Sequence, residues 1–166
     1  MAAAAPSPST RRRGTSEGAG HRVALLDVNV IVALLSGDHV HHDAAHDWFA
    51  DTGQHGWATT PLTENGAIRV LSNPAVHAAA LTASSIREHL TRFCGLDGHH
   101  FWPSDVSLLE ADVLTAHATI THRQLTDVYL LALAVRHDGC LATFDTAIPL
   151  SVVKGATPKH LLTLGH

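Results

Sequence analysis

VALLDVNVIVALL (23–35) joins two apolar runs through a single aspartate, Asp27. The first four residues have the length and composition of a buried parallel strand. Residues 28–35 have a helical pattern that Ser36 and Gly37 end. Asp27 therefore directly follows a strand, and in an open parallel sheet the carboxyl ends of the strands line the ligand crevice. We expect an α/β domain whose first strand ends in a functional carboxylate.

The alternation of strands and helices continues along the rest of the chain. Apolar runs bounded by turn residues predict strands, and apolar residues at helical spacing after capping signals predict helices. The predicted strands are 23–26, 56–59, 100–102, 140–144 and 161–164, and the predicted helices are 28–35, 41–49, 61–72, 84–95, 107–119 and 127–137. The expected N-caps include Thr60, Thr126 and either Thr82 or Ser84. This alternation is typical of an α/β domain with a mostly parallel sheet.

The composition excludes several classes of protein. Of the 166 residues, 45% are apolar and 16% are charged, which is too apolar for a disordered chain and sufficient for one domain with a buried core. The net charge of −4 disfavours a protein that coats nucleic acid with a basic surface. Because no apolar run approaches the ~20 residues of a membrane span, we expect no membrane partner.

The two cysteines, Cys94 and Cys140, form neither a disulfide framework nor a CxxC metal motif. Buried free thiols are the ordinary state of such cysteines in a reducing compartment. We therefore expect a cytoplasmic protein.

Residues 1–20 (MAAAAPSPSTRRRGTSEGAG) differ in composition from the rest of the chain. They are mostly small and polar, so they can bury little apolar surface. The alanine run precedes the arginines, which reverses the order found in a secretory signal peptide. We expect a disordered N-terminal tail over 1–20 and one folded domain over 21–166.

Four acidic residues occupy special positions in the predicted elements. Asp27 and Asp145 directly follow strands, while Glu64 and Asp127 lie in the first turns of helices that follow strands. Each has a simpler explanation on its own: a helix dipole favours Asp127, Glu64 is solvated, and Asp145 belongs to a turn. A parallel α/β fold nevertheless brings all four to the same edge of the sheet.

Clustered carboxylates raise one another's pKa values unless a cation neutralises them. Mg²⁺ and Mn²⁺ suit carboxylate and water ligands. Such ions polarise a phosphate oxygen and activate water, which is the chemistry that cleaves phosphodiesters. An acidic protein can therefore meet a polyanion through its metal ions.

Four segments carry a resemblance to a known family. They are LLDVNVIVALL (25–35), TTPLTENGAIRVLSNP (59–74), LTDVYLLALAVRHDG (125–139) and LATFDTAI (141–148). In this order they resemble the PIN-domain ribonucleases, and within that family the VapC-type toxins, from about residue 23 to the C-terminus. The resemblance implies a three-layer fold with a central five-stranded, mostly parallel sheet flanked by helices, and residues 21–166 become the PIN domain.

The resemblance also implies a metal-dependent endoribonuclease with Mg²⁺ or Mn²⁺ as cofactor. By matching motif, Asp27, Glu64, Asp127 and Asp145 become the catalytic and metal-binding quartet. Asp27 and Asp127 are then the principal metal ligands, and Asp145 binds or orients a second ion or its waters. Glu64 positions the attacking water as nucleophile or general base, and cleavage leaves a 5′ phosphate and a 3′ hydroxyl.

The partners implied by the resemblance are an RNA substrate and a cognate VapB-type antitoxin. The enzyme would cut single-stranded or loop regions of cellular RNA, inhibiting translation and growth until the antitoxin neutralises it. Such toxins commonly form homodimers, and the amphipathic stretch 84–93 is a candidate interface.

Four further residues are candidates because of their spacing from the acids. Asn29 and Thr143 each lie two residues from an acid. For each there are two interpretations: a hydrogen bond to a carboxylate or water at the site, or a structural role in a cap or turn. Arg69 and Arg123 are possible RNA-binding residues, with a solvent-exposed or salt-bridge role as the alternative.

Several alternatives stay open at this point. A PIN nuclease with a housekeeping role in RNA processing has the same fold, and a non-enzymatic module that binds a metal or a partner is a rival from another class. His42 and His46 share a helical face that could bind zinc, but two histidines do not complete a site. A HAD-type phosphatase is disfavoured because it needs a second Asp where this chain has Asn29.

Overall fold

The computed structural model describes residues 22–75 and 81–165 and contains in them five short parallel strands, five α-helices and three 3-10 helices of three residues each. The strands are β1 (Ala24–Leu26), β2 (Trp57–Thr59), β3 (His99–Phe101), β4 (Cys140–Thr143) and β5 (Leu161–Thr163). The helices are α1 (Val28–Leu35), α2 (His42–Asp51), α3 (Pro61–Leu71), α4 (Ala83–Cys94) and α5 (Leu125–Arg136). The α/β alternation expected from the sequence is confirmed.

The strand order β3-β2-β1-β4-β5 places β1 at the centre of the sheet, and every strand pair is parallel. In register, Leu25 of β1 lies between Ala58 of β2 and Leu141 of β4. The chain builds outward from β1 through β2 and β3, then returns to the other side of β1 with β4. Ligands of open α/β sheets bind where the strand order reverses in this way. The carboxyl ends of β1 and β4 therefore mark the expected position of a site.

Two apolar clusters cover the two faces of the sheet and form the three layers. Consecutive residues of a strand point to opposite faces, so Leu26 packs with α1, α3 and α4 while Leu25 packs with α5. Ile31 and Trp57 are fully buried in the first cluster, and Leu131 is fully buried in the second. Burial on both faces explains why β1 is apolar throughout.

The predicted helix over 107–119 is wrong. This segment consists of isolated turns and loop, and part of its backbone pairs with the segment near residue 153. Thr115 N donates to Val152 O at 2.9 Å, and Lys154 N donates to Val113 O at 2.9 Å. These bonds satisfy backbone groups that a helix would have paired locally. Contacts distant in sequence thus override a local apolar pattern.

The predicted N-cap Thr126 is also wrong, because α5 begins at Leu125 and Gln124 is its N-cap. The Gln124 side chain accepts hydrogen bonds from Thr121 N at 3.1 Å and from Thr121 Oγ1 at 2.9 Å, and so organises the turn before the helix. The remaining boundaries agree with prediction to within two residues. Of the two candidate caps for α4, Thr82 is the one used, accepting from Ser85 N at 3.1 Å.

Other expectations have mixed outcomes. The expected disordered tail over 1–20 lies outside the described residues. Both cysteines are free; Cys140 is buried, whereas Cys94 is half-buried. Among the residues described, no helix combines the length and apolarity needed to cross a membrane.

The amphipathic face of α4 is directed into the first cluster through Ile86 and Leu90. The pattern over 84–93 therefore reflects core packing and does not by itself identify a dimer interface.

Candidate active site

Asp27 is fixed in place by the junction of β1 and α1. It is the N-cap of α1, and its Oδ1 accepts a hydrogen bond from Val28 N at 2.6 Å. Its Oδ2 accepts a hydrogen bond from Thr143 Oγ1, at the end of β4, at 2.9 Å. The side chain is 6% exposed, so this carboxylate is both buried and oriented by two donors.

Thr143 connects Asp27 with Asp145. Its hydroxyl donates to Asp27 and accepts a hydrogen bond from Asp145 N at 3.1 Å. Asp145 is exposed, and its Oδ1 accepts from Ala147 N at 2.7 Å in the turn that follows β4. A turn role and a place at the site are therefore compatible for Asp145.

Asp127 completes a group of three interacting aspartates. It lies in the first turn of α5 and is half-buried. Burial raises its pKa from 3.8 to about 6, and the negative charges of Asp27 and Asp145 add to this effect. Burial also raises the pKa of Asp27, against the opposing influence of the hydrogen bonds from Thr143 and Val28. The fold thus places three carboxylates where each destabilises the charge of another.

The donor set fits a hard divalent cation. Carboxylates that repel one another are stabilised by a positive ion between them. No three of the aspartates' ligand atoms fall within 4.8 Å of one another in the described part of the chain. Mg²⁺ usually keeps several of its waters and uses only one or two protein carboxylates, so this wider spacing suits it.

Glu64 lies at the start of α3, but its carboxylate has different partners. Thr59 Oγ1, at the end of β2, donates to Glu64 Oε1 at 2.6 Å. The same hydroxyl lies 2.8 Å from His99 Nε2 and 4.0 Å from Cys94 Sγ. The structure therefore brings three of the four predicted acids together electrostatically and associates the fourth with a separate polar group.

Close packing joins the helix that carries Glu64 to the helix that follows Asp27. Gly66 of α3 faces Val28 of α1, and a Cβ at Gly66 would lie 2.6 Å from Val28 Cγ2. Only a residue without a side chain allows α3 to approach α1 this closely. The second turn of α3 is consequently packed against the first turn of α1, which begins directly after Asp27.

The sequence did not identify Thr59, Cys94 and His99 as a group. Thr59 and Thr143 are each the last residue of a strand, and each donates a hydrogen bond to an acidic side chain. A threonine at the end of a predicted strand, as in TT (59–60) and ATFD (142–145), is therefore the sequence signal that could have identified Thr59. Cys94 and His99 carried no such signal, because only the fold brings α4 and β3 to β2.

The other candidate residues lie on the surface. Asn29 is exposed on the first turn of α1, Arg69 is exposed in the last turn of α3, and Arg123 is exposed before α5. Of the two candidates for holding a carboxylate, Thr143 is the one that hydrogen-bonds Asp27.

His42 and His46 have a structural role at the end of α1. Their rings donate to Ala33 O at 2.8 Å and Leu34 O at 3.0 Å, carbonyls near the C-terminus of that helix. Such carbonyls have no partner within their own helix. These two histidines therefore satisfy the end of α1, which accounts for their i, i+4 spacing without zinc.

Comparison with known proteins agrees with this architecture. The sequence model of the PIN domain family matches residues 24–153, and the chain belongs to that family. Among curated proteins of Mycobacterium tuberculosis strain H37Rv, the chain is 45% identical over 141 residues to the protein named Ribonuclease VapC44, covering 85% of this chain and 99% of that protein. It is 45% identical over 132 residues to Ribonuclease VapC39, covering 80% and 95%, and 40% identical over 126 residues to Ribonuclease VapC29, covering 75% and 86%. The resemblance expected from the sequence is confirmed.

Proposed function

We propose that this chain is a metal-dependent endoribonuclease of the VapC toxin type that cuts single-stranded or loop regions of cellular RNA. The observation that carries the proposal is the group Asp27, Asp127 and Asp145 at the strand-order reversal of a PIN fold. The printed names of relatives up to 45% identical, Ribonuclease VapC44 and Ribonuclease VapC39, support the ribonuclease class, and the resemblance to VapC proteins supports the toxin role. Inhibition of translation and growth is the proposed cellular consequence.

The proposed roles follow from the contacts of each acid. Asp27, Asp127 and Asp145 would hold Mg²⁺ or Mn²⁺, which on binding would stabilise negative charge at the scissile phosphate. Asp27 is held in one orientation by hydrogen bonds from Val28 N and Thr143 Oγ1. Attack by water on phosphorus would leave a 5′ phosphate and a 3′ hydroxyl.

Glu64 is proposed as the residue that positions or deprotonates the attacking water. To do so its carboxylate must leave Thr59 Oγ1 and turn toward the aspartates. The side chain is only half-buried, and it has rotatable bonds that permit this change. Asn29 is proposed to contact water at the site, and Arg69 and Arg123 are proposed to hold RNA phosphates, since all three side chains are exposed.

The proposed partner is a VapB-type antitoxin that places a basic side chain beside the aspartates. A cation there would relieve the same repulsion that raises the pKa of Asp127. We also propose that the protein acts in the cytoplasm, where cellular RNA is found, and that it forms a homodimer.

Substitution of Asp27 tests the proposed activity. Asp27→Asn should abolish cleavage of RNA and relieve growth arrest on induction, because the amide cannot replace a buried anionic metal ligand. Asp47→Asn, an equal charge change on the exposed surface of α2, is the matched control and should cleave normally. Undiminished cleavage by Asp27→Asn contradicts the assignment.

Metal removal tests the cofactor. EDTA should stop cleavage by the unsubstituted protein, and added Mn²⁺ or Mg²⁺ should restore it. Cleavage that persists after chelation and dialysis rules out the metal-dependent mechanism. Growth arrest that a co-expressed antitoxin reverses supports the toxin role, whereas RNA processing without growth arrest supports the housekeeping alternative.

A further inference from the structure

A second group of metal-ligating side chains lies around Thr59. Glu64 of α3, Cys94 at the end of α4 and His99 at the start of β3 each offer one ligand atom, and these atoms all lie within 4.8 Å of one another. Neighbouring ligand atoms of a tetrahedral zinc site are roughly 3.3–3.8 Å apart. All three side chains are half-buried, so rotations of about 1 Å at their ends would close this difference.

Thr59 joins two of these ligands through one hydroxyl group. Its Oγ1 donates to Glu64 Oε1 at 2.6 Å and lies 2.8 Å from His99 Nε2. The Glu64 carboxylate and the His99 ring therefore meet at the end of β2.

A cation at His99 is compatible with the hydrogen bond between Thr59 and Glu64. If His99 Nε2 binds an ion, the Thr59 hydroxyl still donates to Glu64 and orients its carboxylate. Hydrogen bonds that orient ligating carboxylates are common in metal sites.

We propose that Glu64, Cys94 and His99 form a Zn²⁺-binding site in which water or another small ligand occupies the fourth position. Thiolate and imidazole ligands select zinc-like ions over the hard Mg²⁺ expected at the aspartates. The site therefore differs in ligand chemistry from the group formed by Asp27, Asp127 and Asp145.

An open cavity adjoins two of the three proposed ligands. Glu64 and Cys94 line a cavity of about 350 Å³ together with Ile68, Leu90 and Arg87. Arg87 is the cationic group that faces this cavity, and its exposed side chain can move into solvent or pair with an anion at the fourth position. Two anionic ligands, Glu64 and the Cys94 thiolate, balance the charge of one Zn²⁺.

The site has a consequence for the proposed ribonuclease, and this consequence rests on the proposed function. A zinc ion here keeps the Glu64 carboxylate beside Thr59 and away from the aspartates. Zn²⁺ would then slow RNA cleavage by removing the residue proposed to position water. Binding itself is independent of RNA and is tested without it.

Cobalt substitution tests the site directly. Co²⁺ is titrated into metal-free protein with a phosphine reductant and excess Mg²⁺, so that hard ligands such as the aspartates are occupied. The expected result is one equivalent of Co²⁺ with a thiolate-to-cobalt charge-transfer band in the near ultraviolet, displaced by Zn²⁺. Cys140→Ala is the matched control, since it removes the other cysteine and should leave the band unchanged.

Two variants at the site decide the outcome. Cys94→Ser should abolish the band, and His99→Ala should lower the Zn²⁺ affinity by at least about 100-fold, more than the loss of a group that only orients a ligand. Far-ultraviolet circular dichroism checks that each variant is folded. No band in the unsubstituted protein, or an equal band in Cys94→Ser, overturns the proposal.

A cleavage assay separates the site from its consequence. In excess Mg²⁺, added Zn²⁺ should inhibit the unsubstituted protein and leave Cys94→Ser largely active. Equal inhibition of both proteins overturns the regulatory role while the cobalt result still decides binding. Failure of the unsubstituted protein to cleave RNA in Mg²⁺ alone contradicts the proposed function and leaves the cobalt result as the measure of the zinc site.

Discussion

Replacing Asp127 with Asn should stabilise the metal-free protein even though it removes a proposed metal ligand. The pKa of Asp127 rises from 3.8 to about 6 in the folded protein because of burial and the charges of Asp27 and Asp145. Between these two pH values the folded protein binds more protons at Asp127 than the unfolded chain does. The free energy of unfolding therefore falls as the pH rises through this interval, and the loss is complete above about pH 6.

The magnitude follows from the pKa difference. A rise from 3.8 to about 6 corresponds to roughly 3 kcal/mol at ~1.4 kcal/mol for each pH unit. Asp127 is only half-buried, so solvent screening reduces this to about 1.5 kcal/mol. The dipole of α5 favours an acid in its first turn by roughly 0.5 kcal/mol, which leaves about 1 kcal/mol in favour of Asp127→Asn. For a chain of this size, that is an increase in Tm of about 2–4 °C.

The assay is thermal and urea unfolding in EDTA at several pH values. Asp127→Asn should exceed the unsubstituted protein at pH 8, and the difference should shrink as the pH falls toward 4. Added Mg²⁺ should raise the stability of the unsubstituted protein more than that of the variant, since a ligand that binds the folded state stabilises it. Asp47→Asn on exposed α2 controls for the change in net charge.

The neighbouring charges provide an internal check. Asp27 contributes more than Asp145 to the raised pKa of Asp127. Asp27→Asn should therefore lower the Asp127 pKa, measured by carboxyl NMR titration, further than Asp145→Asn does. An Asp127→Asn variant that is no more stable than the unsubstituted protein at pH 8 refutes this account, provided that Asp47→Asn behaves as expected.

Three other substitutions have expected outcomes. Thr143→Val removes the donor to Asp27 Oδ2 and should raise the pKa of Asp27 further, which would shift the pH profile of cleavage to higher pH. The lost hydrogen bond should also lower the free energy of unfolding, measured in urea, by about 1.5–3 kcal/mol. Gly66→Ala places a Cβ 2.6 Å from Val28 Cγ2 and should lower the free energy of unfolding by about 1–3 kcal/mol. Combination with Val28→Ala should recover part of this loss. A Gly66→Ala variant with unchanged stability contradicts the close packing of α1 and α3. Gly98→Ala should lower Tm by several degrees, because Gly98 has φ +87° and its Cβ would lie 2.5 Å from Gln54 O; an unchanged Tm excludes this backbone constraint.

Local patterns in the sequence were sufficient for the five strands, for five of the six predicted helices and for the positions of the three aspartates at element ends. An apolar run followed by Asp27 indicates a strand end, and a capping signal before Glu64 indicates a helix start, because both depend on residues a few positions apart. The parallel arrangement follows from the alternation of strands and helices. The edge of the sheet where the aspartates lie could therefore be predicted from the sequence.

Long-range backbone pairing decided the element that the sequence mispredicted. Residues 107–119 have an apolar pattern compatible with a helix, yet their backbone forms isolated turns and bonds to Val152 and Lys154. Val113 is buried against α5 by the same arrangement. A pairing partner about 40 residues away leaves no trace in a local pattern, so the sequence could not reveal it.

The sequence by itself determined at which ends of the strands and helices the four candidate acids lie. The tertiary structure decided which of them interact. Glu64 meets Cys94 and His99 because β2, α4 and β3 converge at Thr59, and the raised pKa of Asp127 arises only when burial and two other charges surround it. Solvation and Coulomb forces depend on distance in space, and distance in space between segments far apart in the chain is a property of the folded protein.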